Sequence, residues 1–439
     1  MHNDMGQITA YGCIGERLGH SFSGEIHRMI GQALAEKGEP NAPYDYVLEE
    51  IAPENLEAFL SRRAFCGINV TIPYKQSVMP YLDELTEVAR QIGAVNTVVS
   101  RKGRLVGDNT DFYGLRHLLS TQGIDLKGKK VLIFGTGGTS NTAYAVAKDA
   151  GAKEILKVSR QSMEGCVTYD SLTSHTDANV IINTTPVGMY PNDEGNPLPE
   201  GVSLSMFPAL CGVVDVVYHP LRTNLVLQAK ELGIAATGGL AMLVAQAVAA
   251  AERFLDRSIA PEIIDRITKT IEKQKENLVL IGMPGSGKST VGKLLSEWTG
   301  RRLIDTDEEF YKSTGVLPGA YIQANGETDF RAREAEVIRD AVAMTSGGVV
   351  ATGGGAVLSD VNVRALKRNG RLIFLDRPLE ALVGTSDRPL SANAEQLRRR
   401  YEERYDRYCA VADEHWHIAL GESPEQTAKR AGLAEQMEG

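Results

Sequence analysis

Short apolar runs bounded by glycine and polar residues alternate along most of this chain with longer segments of helical periodicity. Val131-Leu132-Ile133-Phe134, Ile155-Leu156-Lys157-Val158 and Leu278-Val279-Leu280-Ile281 read as buried strands, and Ala143 to Ala150 as a helix joining the first two. Strands alternating with helices predict α/β architecture with largely parallel sheets. The longest weakly polar stretch, Ile234 to Ala251, is rich in alanine and interrupted by Gly238, Gly239 and Gln246, which predicts a buried helix rather than a membrane span. Apolar periodicity fades from Thr268 to Asn277, where Lys269, Lys273 and Lys275 alternate with Glu272 and Glu276. We read a linker there, with a helical tail as the competing reading. The polar run Leu126 to Lys130 marks another boundary, and no short-period repeat is visible.

At 439 residues the chain is long enough for two to four domains of about 150 residues each. A net charge of −9 gives no general nucleic-acid footprint. Arg398-Arg399-Arg400, followed by Glu402 and Glu403, reads as a charged helix face. The five cysteines are dispersed with no C-x-x-C pair, which argues against a structural zinc site and suits a reducing compartment. The N-terminal residues have neither a basic n-region nor an apolar h-region, so a cytoplasmic protein is expected.

Gly282-Met283-Pro284-Gly285-Ser286-Gly287-Lys288-Ser289-Thr290 matches the phosphate-cradling loop G-x-x-x-x-G-K-[ST] and follows a strand, the context that motif requires. Glycines turn backbone N–H groups toward the phosphates, Lys288 reaches the terminal phosphates, and the Ser289 hydroxyl can ligate Mg²⁺. A second nucleotide pattern lies upstream, so two active sites are expected. There, Gly135-Thr136-Gly137-Gly138-Thr139-Ser140 approaches the dinucleotide fingerprint G-x-G-x-x-G, with strands on either side and a helix between. The pyrophosphate would rest on the helix N-terminus. Where an NAD enzyme carries an acid at the end of the second strand, this chain has Ser159-Arg160. A guanidinium suits a 2′-phosphate and favours NADP, although Arg160 could also be a solvated turn residue.

Ahead of these, Gly67-Ile68-Asn69-Val70-Thr71-Ile72-Pro73-Tyr74-Lys75 is followed by Gly93-Ala94-Val95-Asn96-Thr97 and Gly107-Asp108-Asn109-Thr110-Asp111. Lys75 and Asp111 could form a surface ion pair. They could equally exchange a proton with a carbonyl or hydroxyl while a nicotinamide exchanges hydride with the same carbon. Spacing alone leaves both open.

Several separated motifs, in order, resemble shikimate dehydrogenase from about residue 8 to 265. They are Gly19-His20-Ser21-Phe22-Ser23, the three runs just named, Asn183-Thr184-Thr185-Pro186-Val187-Gly188-Met189, Asp215-Val216-Val217-Tyr218, and Gly238-Gly239 leading to Met242-Leu243 and Gln246. The resemblance implies that Ser21 and Ser23 hold a substrate carboxylate and that Thr71, Asn96, Asp111 and Gln246 bond ring hydroxyls. It makes Lys75 the acid/base with Asp111 beside it, with Tyr218 near the substrate. Gly135, Thr136, Gly137, Gly138, Thr139, Ser159, Arg160, Val216 and Gly239 would line the cofactor site. Two departures are visible: Gly24 stands where the family has Pro, and Ser159-Arg160-Gln161 where it has Asn-Arg-Thr. The first touches helix entry only; the second loosens the cofactor preference.

From about 277 to 439 the chain resembles shikimate kinase. After the phosphate loop come Asp305-Thr306-Asp307, Gly326 to Arg331 with Glu334, Val349 to Gly355, Arg388-Pro389-Leu390, and Arg404 in Glu403 to Tyr408. The resemblance implies that Gly285, Ser286, Gly287, Lys288, Ser289, Thr290 and Arg388 bind ATP, Arg388 arriving on a lid. Ser289 and Asp305 would hold Mg²⁺, Asp307 would polarise the attacking hydroxyl, and Arg331 and Arg404 would clamp a carboxylate, as a planar fork can. Gly354 would offer backbone to the substrate. Lys288 and Asp307 join Lys75 and Asp111 as the expected catalytic set.

The expected architecture is therefore a two-subdomain dehydrogenase with a Rossmann nucleotide subdomain, followed by a P-loop kinase α/β domain. Its boundaries would be 1–267 (substrate subdomain about 1–112 plus 237–267, nucleotide subdomain about 113–236), a linker at 268–277, and 278–439. The expected activities are NADPH-dependent reduction of 3-dehydroshikimate and ATP-dependent phosphorylation of the shikimate produced. The partners expected are small-molecule substrates only, with no nucleic acid and no membrane. Two other readings stand beside this: a dehydrogenase acting on quinate, and a sensor built on worn copies of these enzymes. Lys75, Asp111, Lys288, Asp307, Arg331 and Arg404 are all present, and a worn copy would be expected to have lost some of them.

Overall fold

Runs of Val, Ile and Leu that are apolar at every position belong in sheets covered on both faces, and such sheets are parallel. The computed structural model describes residues 10–19, 21–40, 42–343, 345–382 and 394–429. The chain divides into two units. One comprises Met1–Gly188, Asn196–Tyr218 and Gln228–Ile271; the other comprises Met189–Gly195, His219–Leu227 and Glu272–Gly439.

The first unit holds two sheets. Its mixed sheet has strands β1 (Tyr11–Gly15), β2 (Tyr46–Glu50), β3 (Gly67–Val70), β4 (Glu84–Leu85), β5 (Thr97–Arg101) and β6 (Arg104–Asp108), in the order β2-β1-β3-β5-β6-β4. β1 runs parallel to β2 and β3, while β5 runs antiparallel to β3 and β6. The β5–β6 hairpin turns on Lys102-Gly103, both at positive φ (51° and 77°), the form that matches strand twist. The second sheet has β7 (Lys130–Phe134), β8 (Glu154–Ser159), β9 (Cys166–Thr168), β10 (Val180–Asn183), β11 (Gly212–Asp215) and β12 (Ala235–Thr237). All are parallel, in the order β9-β8-β7-β10-β11-β12, the doubly wound Rossmann arrangement expected from the sequence.

Two helices serve both sheets. Asp111–Thr121 follows β6 and Leu240–Leu255 follows β12; the latter covers much of the stretch read as a buried helix. They meet at Gly114, where a Cβ would lie 2.6 Å from the carbonyl oxygen of Met242. Leu115, Leu118 and Met242 share a core with Val131 and Ile133 of β7. At its other end the longer helix puts Ala250 and Phe254 against Val99 of β5. Gly67 makes room for Phe254, since a Cβ there would meet the ring at 2.2 Å.

The second unit contains one parallel sheet, β13 (Asn277–Ile281), β14 (Leu303–Asp305), β15 (Val349–Ala351), β16 (Gly370–Asp376) and β17 (Glu414–His417), in the order β14-β15-β13-β16-β17. The stretch from Thr268 that we read as linker or helical tail is helical through Lys275, within helix Glu262–Lys275, and buries Ile271. Two segments from the stretch read as the nucleotide subdomain are grouped with this unit. In one, Arg222 donates to the carbonyl oxygens of Lys367 (2.8 Å) and Gly370 (2.9 Å) and pairs with Glu276 (2.9 Å). In the other, Asp193 lies 3.2 Å from Nη1 of Arg368, both side chains being almost wholly buried. Among the described residues no helix is long and apolar enough to cross a membrane.

His27, on helix Ser23–Glu36, is buried beneath a stacked Tyr46 ring at 3.8 Å, with its Nδ1 2.8 Å from the Tyr44 hydroxyl. Burial pushes its pKa down from 6.5 to about 3. The unfolded chain therefore takes up a proton below about pH 6.5 that the folded unit refuses until about pH 3, and stability falls by about 1.4 kcal/mol per pH unit across that window. Calorimetry from pH 7 to 4 should show this unit's melting temperature dropping more steeply in the wild type than in His27→Phe. Parallel slopes would show that His27 is charged in the fold.

Candidate active sites

Because β5 is antiparallel to β3 and β6, the start of β5 and the ends of β3 and β6 share one edge of the mixed sheet, with Asn69 opposite Thr97 and Thr97 opposite Asp108. This brings Thr71, Asn96 and Asp111 together. The chain after β3 turns back, Tyr74 N–H donating to Thr71 O (2.9 Å) and Val95 N–H to Lys75 O (2.7 Å). Lys75 Nζ then reaches Asp111 Oδ2 at 2.6 Å. Asp111 opens its helix, where the N-terminal dipole favours a carboxylate. Buried Asn96 accepts with Oδ1 from Thr110 N–H (2.7 Å), Thr110 Oγ1 (3.1 Å) and Thr97 Oγ1 (3.1 Å), so its amide NH₂ is what it can offer a ligand. Gln246 reaches the same cluster from the longer helix, Oε1 accepting from Thr110 Oγ1 at 3.4 Å.

Around this core, Ser21 Oγ accepts from Ser23 N–H (3.3 Å) at the entry to the first helix. The Phe22 ring lies 5.6 Å from that of Tyr218, whose phenol burial makes a weaker acid. Asn69, given no role in our sequence reading, ties Tyr46 (2.7 Å) to Thr97 (3.1 Å). Cys13 is no nucleophile: burial pushes its thiol up to about 12 although Lys75 opposes the shift.

The nucleotide edge of this unit is open. Gly135 has φ +108°, and a Cβ there would lie 2.8 Å from Thr184 Oγ1; Gly137 and Gly138 face open space. Thr136 is exposed and Thr139 half-buried on the first turn of helix Gly138–Asp149, which has no side-chain cap. Ser140, in the place of the third fingerprint glycine, is fully buried and donates to Gly137 O at 2.6 Å, so a small side chain serves the close helix packing. Ser159 ends β8 with its hydroxyl accepting from Gln161 N–H (3.2 Å). Arg160 beside it is exposed, with no ion pair among the described residues. Val216 and Gly239 are in contact at the end of β11, a Cβ on Gly239 falling 2.1 Å from Val216 O.

In the second unit the phosphate loop follows β13, with Gly282, Gly285 and Gly287 at φ +146°, +84° and +95°. Lys288 opens helix Lys288–Thr299, and its Nζ donates to the loop carbonyls of Gly282 and Met283, both at 2.9 Å. Ser286 Oγ is buried with no hydrogen-bond partner among the described residues, as suits a group that awaits a ligand oxygen. Thr290 is exposed on the first helical turn. Ser289 Oγ donates to Asp305 Oδ2 at 2.6 Å, two hard oxygen donors side by side of the kind Mg²⁺ takes.

Asp305, Asp307, Arg331, Gly354 and Arg404 line one cavity of about 590 Å³. Arg331 pairs with Glu334 (2.7 Å) and Glu327 (3.1 Å), and Arg404 donates to Gly354 O (3.2 Å). Burial raises the Glu334 carboxyl pKa against the opposing pull of Arg331. A Cβ on Gly355 would meet Arg331 Nη2 at 2.2 Å, so a side chain there would displace that guanidinium. Arg388 lies outside the described residues. Arg400, in the triplet we read as a charged helix face and gave no site role, also lines the cavity. Arg399 is that face, pairing with Glu403 at 2.8 Å. Arg400 has no ion pair among the described residues, and burial, then Arg404, lowers its pKa. The signal was available: Arg400 and Arg404 are four residues apart, one above the other on a helix.

A family model described as shikimate dehydrogenase substrate binding domain matches residues 13–98, and one described as shikimate kinase matches 284–432. Shikimate dehydrogenase (NADP(+)) of Clostridium beijerinckii is 35% identical over 254 residues, which are 55% of this chain and 90% of that protein. Among solved structures, a chorismate mutase/shikimate 5-dehydrogenase fusion protein from Clostridium acetobutylicum is 35% identical with a TM-score of 0.56, over 61% of this chain and 98% of that one. Shikimate 5-dehydrogenase of Thermus thermophilus, solved with NADP(H) and shikimate, is 29% identical with a TM-score of 0.52, over 60% of this chain and 98% of that one.

The Gly239 contact is backbone on backbone and has no side chain to swing aside. Gly239→Ala should therefore destabilise the first unit by about 1–3 kcal/mol, as overpacking does, and lower its calorimetric transition. A transition unchanged within error would show that the Val216 strand end yields freely.

Proposed function

This chain belongs to the shikimate dehydrogenase family and carries a shikimate kinase domain after it, and on that premise we propose that it reduces 3-dehydroshikimate with NADPH and phosphorylates the shikimate so formed with ATP. The observation that carries this reading is that each unit has its own set of reacting groups: Lys75 2.6 Å from Asp111 in one, and Lys288, Ser289 and Asp305 around a phosphate loop in the other.

In the first reaction bound NADPH supplies a hydride to the carbonyl carbon. The Lys75 ammonium gives its proton to the carbonyl oxygen as that oxygen becomes a hydroxyl, and Asp111 orients the ammonium. Ser21 and Ser23 hold the carboxylate. Thr71, the Asn96 amide and Gln246 take the ring hydroxyls, with Tyr218 closing over the substrate. Gly135 to Thr139, Ser159, Val216 and Gly239 seat the cofactor, and the exposed guanidinium of Arg160 supports a 2′-phosphate and hence NADP.

In the second reaction the hydroxyl just formed attacks the terminal phosphorus of ATP. Asp307 takes the hydroxyl's proton, while Lys288 and the N–H groups of residues 285–290 hold the phosphates, with Arg388 assigned to the same charge. Ser289 and Asp305 would hold Mg²⁺, which offsets phosphate charge when bound. Arg331 and Arg404 clamp the carboxylate beside Gly354. Arg400 adds a positive charge with no ion pair among the described residues, which we assign to the anionic groups of this substrate or its product.

Lys75→Ala should lower carbonyl reduction by about 10²–10⁴-fold and spare kinase turnover on added shikimate, whereas Lys288→Ala should do the reverse. Both activities are measured in both purified variants. Loss of phosphorylation in a folded Lys75→Ala protein would overturn the assignment of separate sites.

Arg400→Gln should raise the KM for shikimate about tenfold to a hundredfold, the value of one charge-assisted contact at about 1.5–3 kcal/mol. Arg400→Lys should recover part of the loss, and dehydrogenase rates should not change. An unchanged KM for shikimate would show that Arg400 makes no contact with that substrate.

A further inference from the structure

We propose that Asp376, His415 and His417 form a binding site for a transition-metal dication of the zinc class, at the ends of β16 and β17 in the second unit. Pairing of the two parallel strands sets Phe374 beside His415 and Asp376 beside His417. Alternate residues of a strand share a face, so both imidazoles rise on the side where Asp376 stands. His415 Nε2 lies 3.0 Å and His417 Nδ1 2.9 Å from the same oxygen, Asp376 Oδ2. The donor atoms of the three residues all lie within 4.8 Å of one another. Zinc bonds of about 2.0–2.2 Å put tetrahedral ligand atoms roughly 3.3 Å apart, so the oxygen-to-nitrogen separations are already near those of a filled site.

Hydrogen bonding alone explains this arrangement poorly. Tyr405 also donates to Asp376 Oδ2, at 3.2 Å. One hydroxyl and two imidazole nitrogens thus converge on one carboxylate oxygen. A bound cation resolves the crowding: both imidazoles turn a lone pair inward, their protons moving to the outer ring nitrogens, and Tyr405 remains as the hydrogen bond that fixes the carboxylate. The His415 ring is held by stacking on buried Phe374, with centroids 4.8 Å apart. Glu414, the carboxylate of β17, is engaged by Arg371 and Trp416. His417 is 74% exposed, so an ion can enter from solvent and water can take the fourth position. Two imidazoles and one carboxylate select zinc, cobalt, nickel or copper over Mg²⁺, which distinguishes this site from the oxygen pair Ser289 and Asp305. Through Tyr405, an ion here would tie the ends of β16 and β17 to the helix that carries Arg404.

The test uses the full chain, stripped with chelator and dialysed against micromolar Co²⁺ in millimolar Mg²⁺. One equivalent of Co²⁺ should be retained, with the visible absorption of a tetrahedral nitrogen and oxygen site and no thiolate charge-transfer band. The His415→Ala/His417→Ala double variant should lose that equivalent, and His417→Gln, altered only at an exposed position, should bind at least tenfold more weakly. Absence of retained Co²⁺, equal Co²⁺ affinity in wild type and His417→Gln, or a thiolate band would each overturn the proposal.

Discussion

Strands that run parallel end together, and the chemistry of this protein follows from that constraint. A parallel sheet gathers every carboxyl end on one edge, where following helices start and their first N–H groups have no partner in the chain. The loops after β7 and β13 turn on glycines at positive φ at that edge, where we assign the phosphates of the two nucleotides. The acid at the end of β14 and the acid and histidines at the ends of β16 and β17 stand on the same edge, where the proposed cation sites fall. Even the mixed sheet obeys the rule, because reversing β5 brings Asn96 to the edge where β3 and β6 finish.

Groups gathered at an edge must also be held there. In the first unit the holding is done by a buried polar network rather than by apolar packing. Asp108 accepts from Thr86 (2.7 Å) and from Arg253 (3.0 Å), so the end of β6 is fastened to helix Leu240–Leu255. Asn69, Asn96, Thr97 and Thr110 continue the chain of bonds, and all are buried. Such a network is rigid when complete, and each orphaned member costs about 1–3 kcal/mol. A ligand that presents several hydroxyls needs donors and acceptors fixed in this manner. The second unit instead concentrates arginines around a cavity and balances them with Glu327 and Glu334.

Much of this was legible in the sequence because it depends on local spacing. The two glycine-rich loops, their flanking strands and the order of motifs are written in consecutive residues, and β7, β8 and β13 lie where apolar runs stand. Features that depend on which face a residue turns were harder to see. Arg400 hid in a run of three arginines, of which its neighbour Arg399 is truly solvated. The helix through Lys275 looked like a linker because its last buried residue is Ile271, beyond which its residues are all charged or polar. His415 and His417 carry a visible alternation, but their meaning needs Asp376, about 40 residues earlier, and the pairing of β16 with β17 that no local pattern announces.

The buried pair of Asp193 and Arg368 bears on how such a chain can be divided. A fusion of two enzymes suggests a string that could be cut at the junction near residue 277, leaving two complete proteins. Here Asp193 and Arg222 come from upstream of that junction, yet they belong to the second unit. Burial raises the Asp193 carboxyl pKa despite the nearby Arg368, so the pair is held by its surroundings more than by its own attraction. Severed at the junction, the downstream fragment would keep Arg368 interred with its countercharge gone, a loss worth roughly 3–5 kcal/mol, comparable to much of a domain's total stability. The covalent seam and the folding seam of this polypeptide therefore lie in different places, and two upstream segments have become part of the scaffold of the kinase domain.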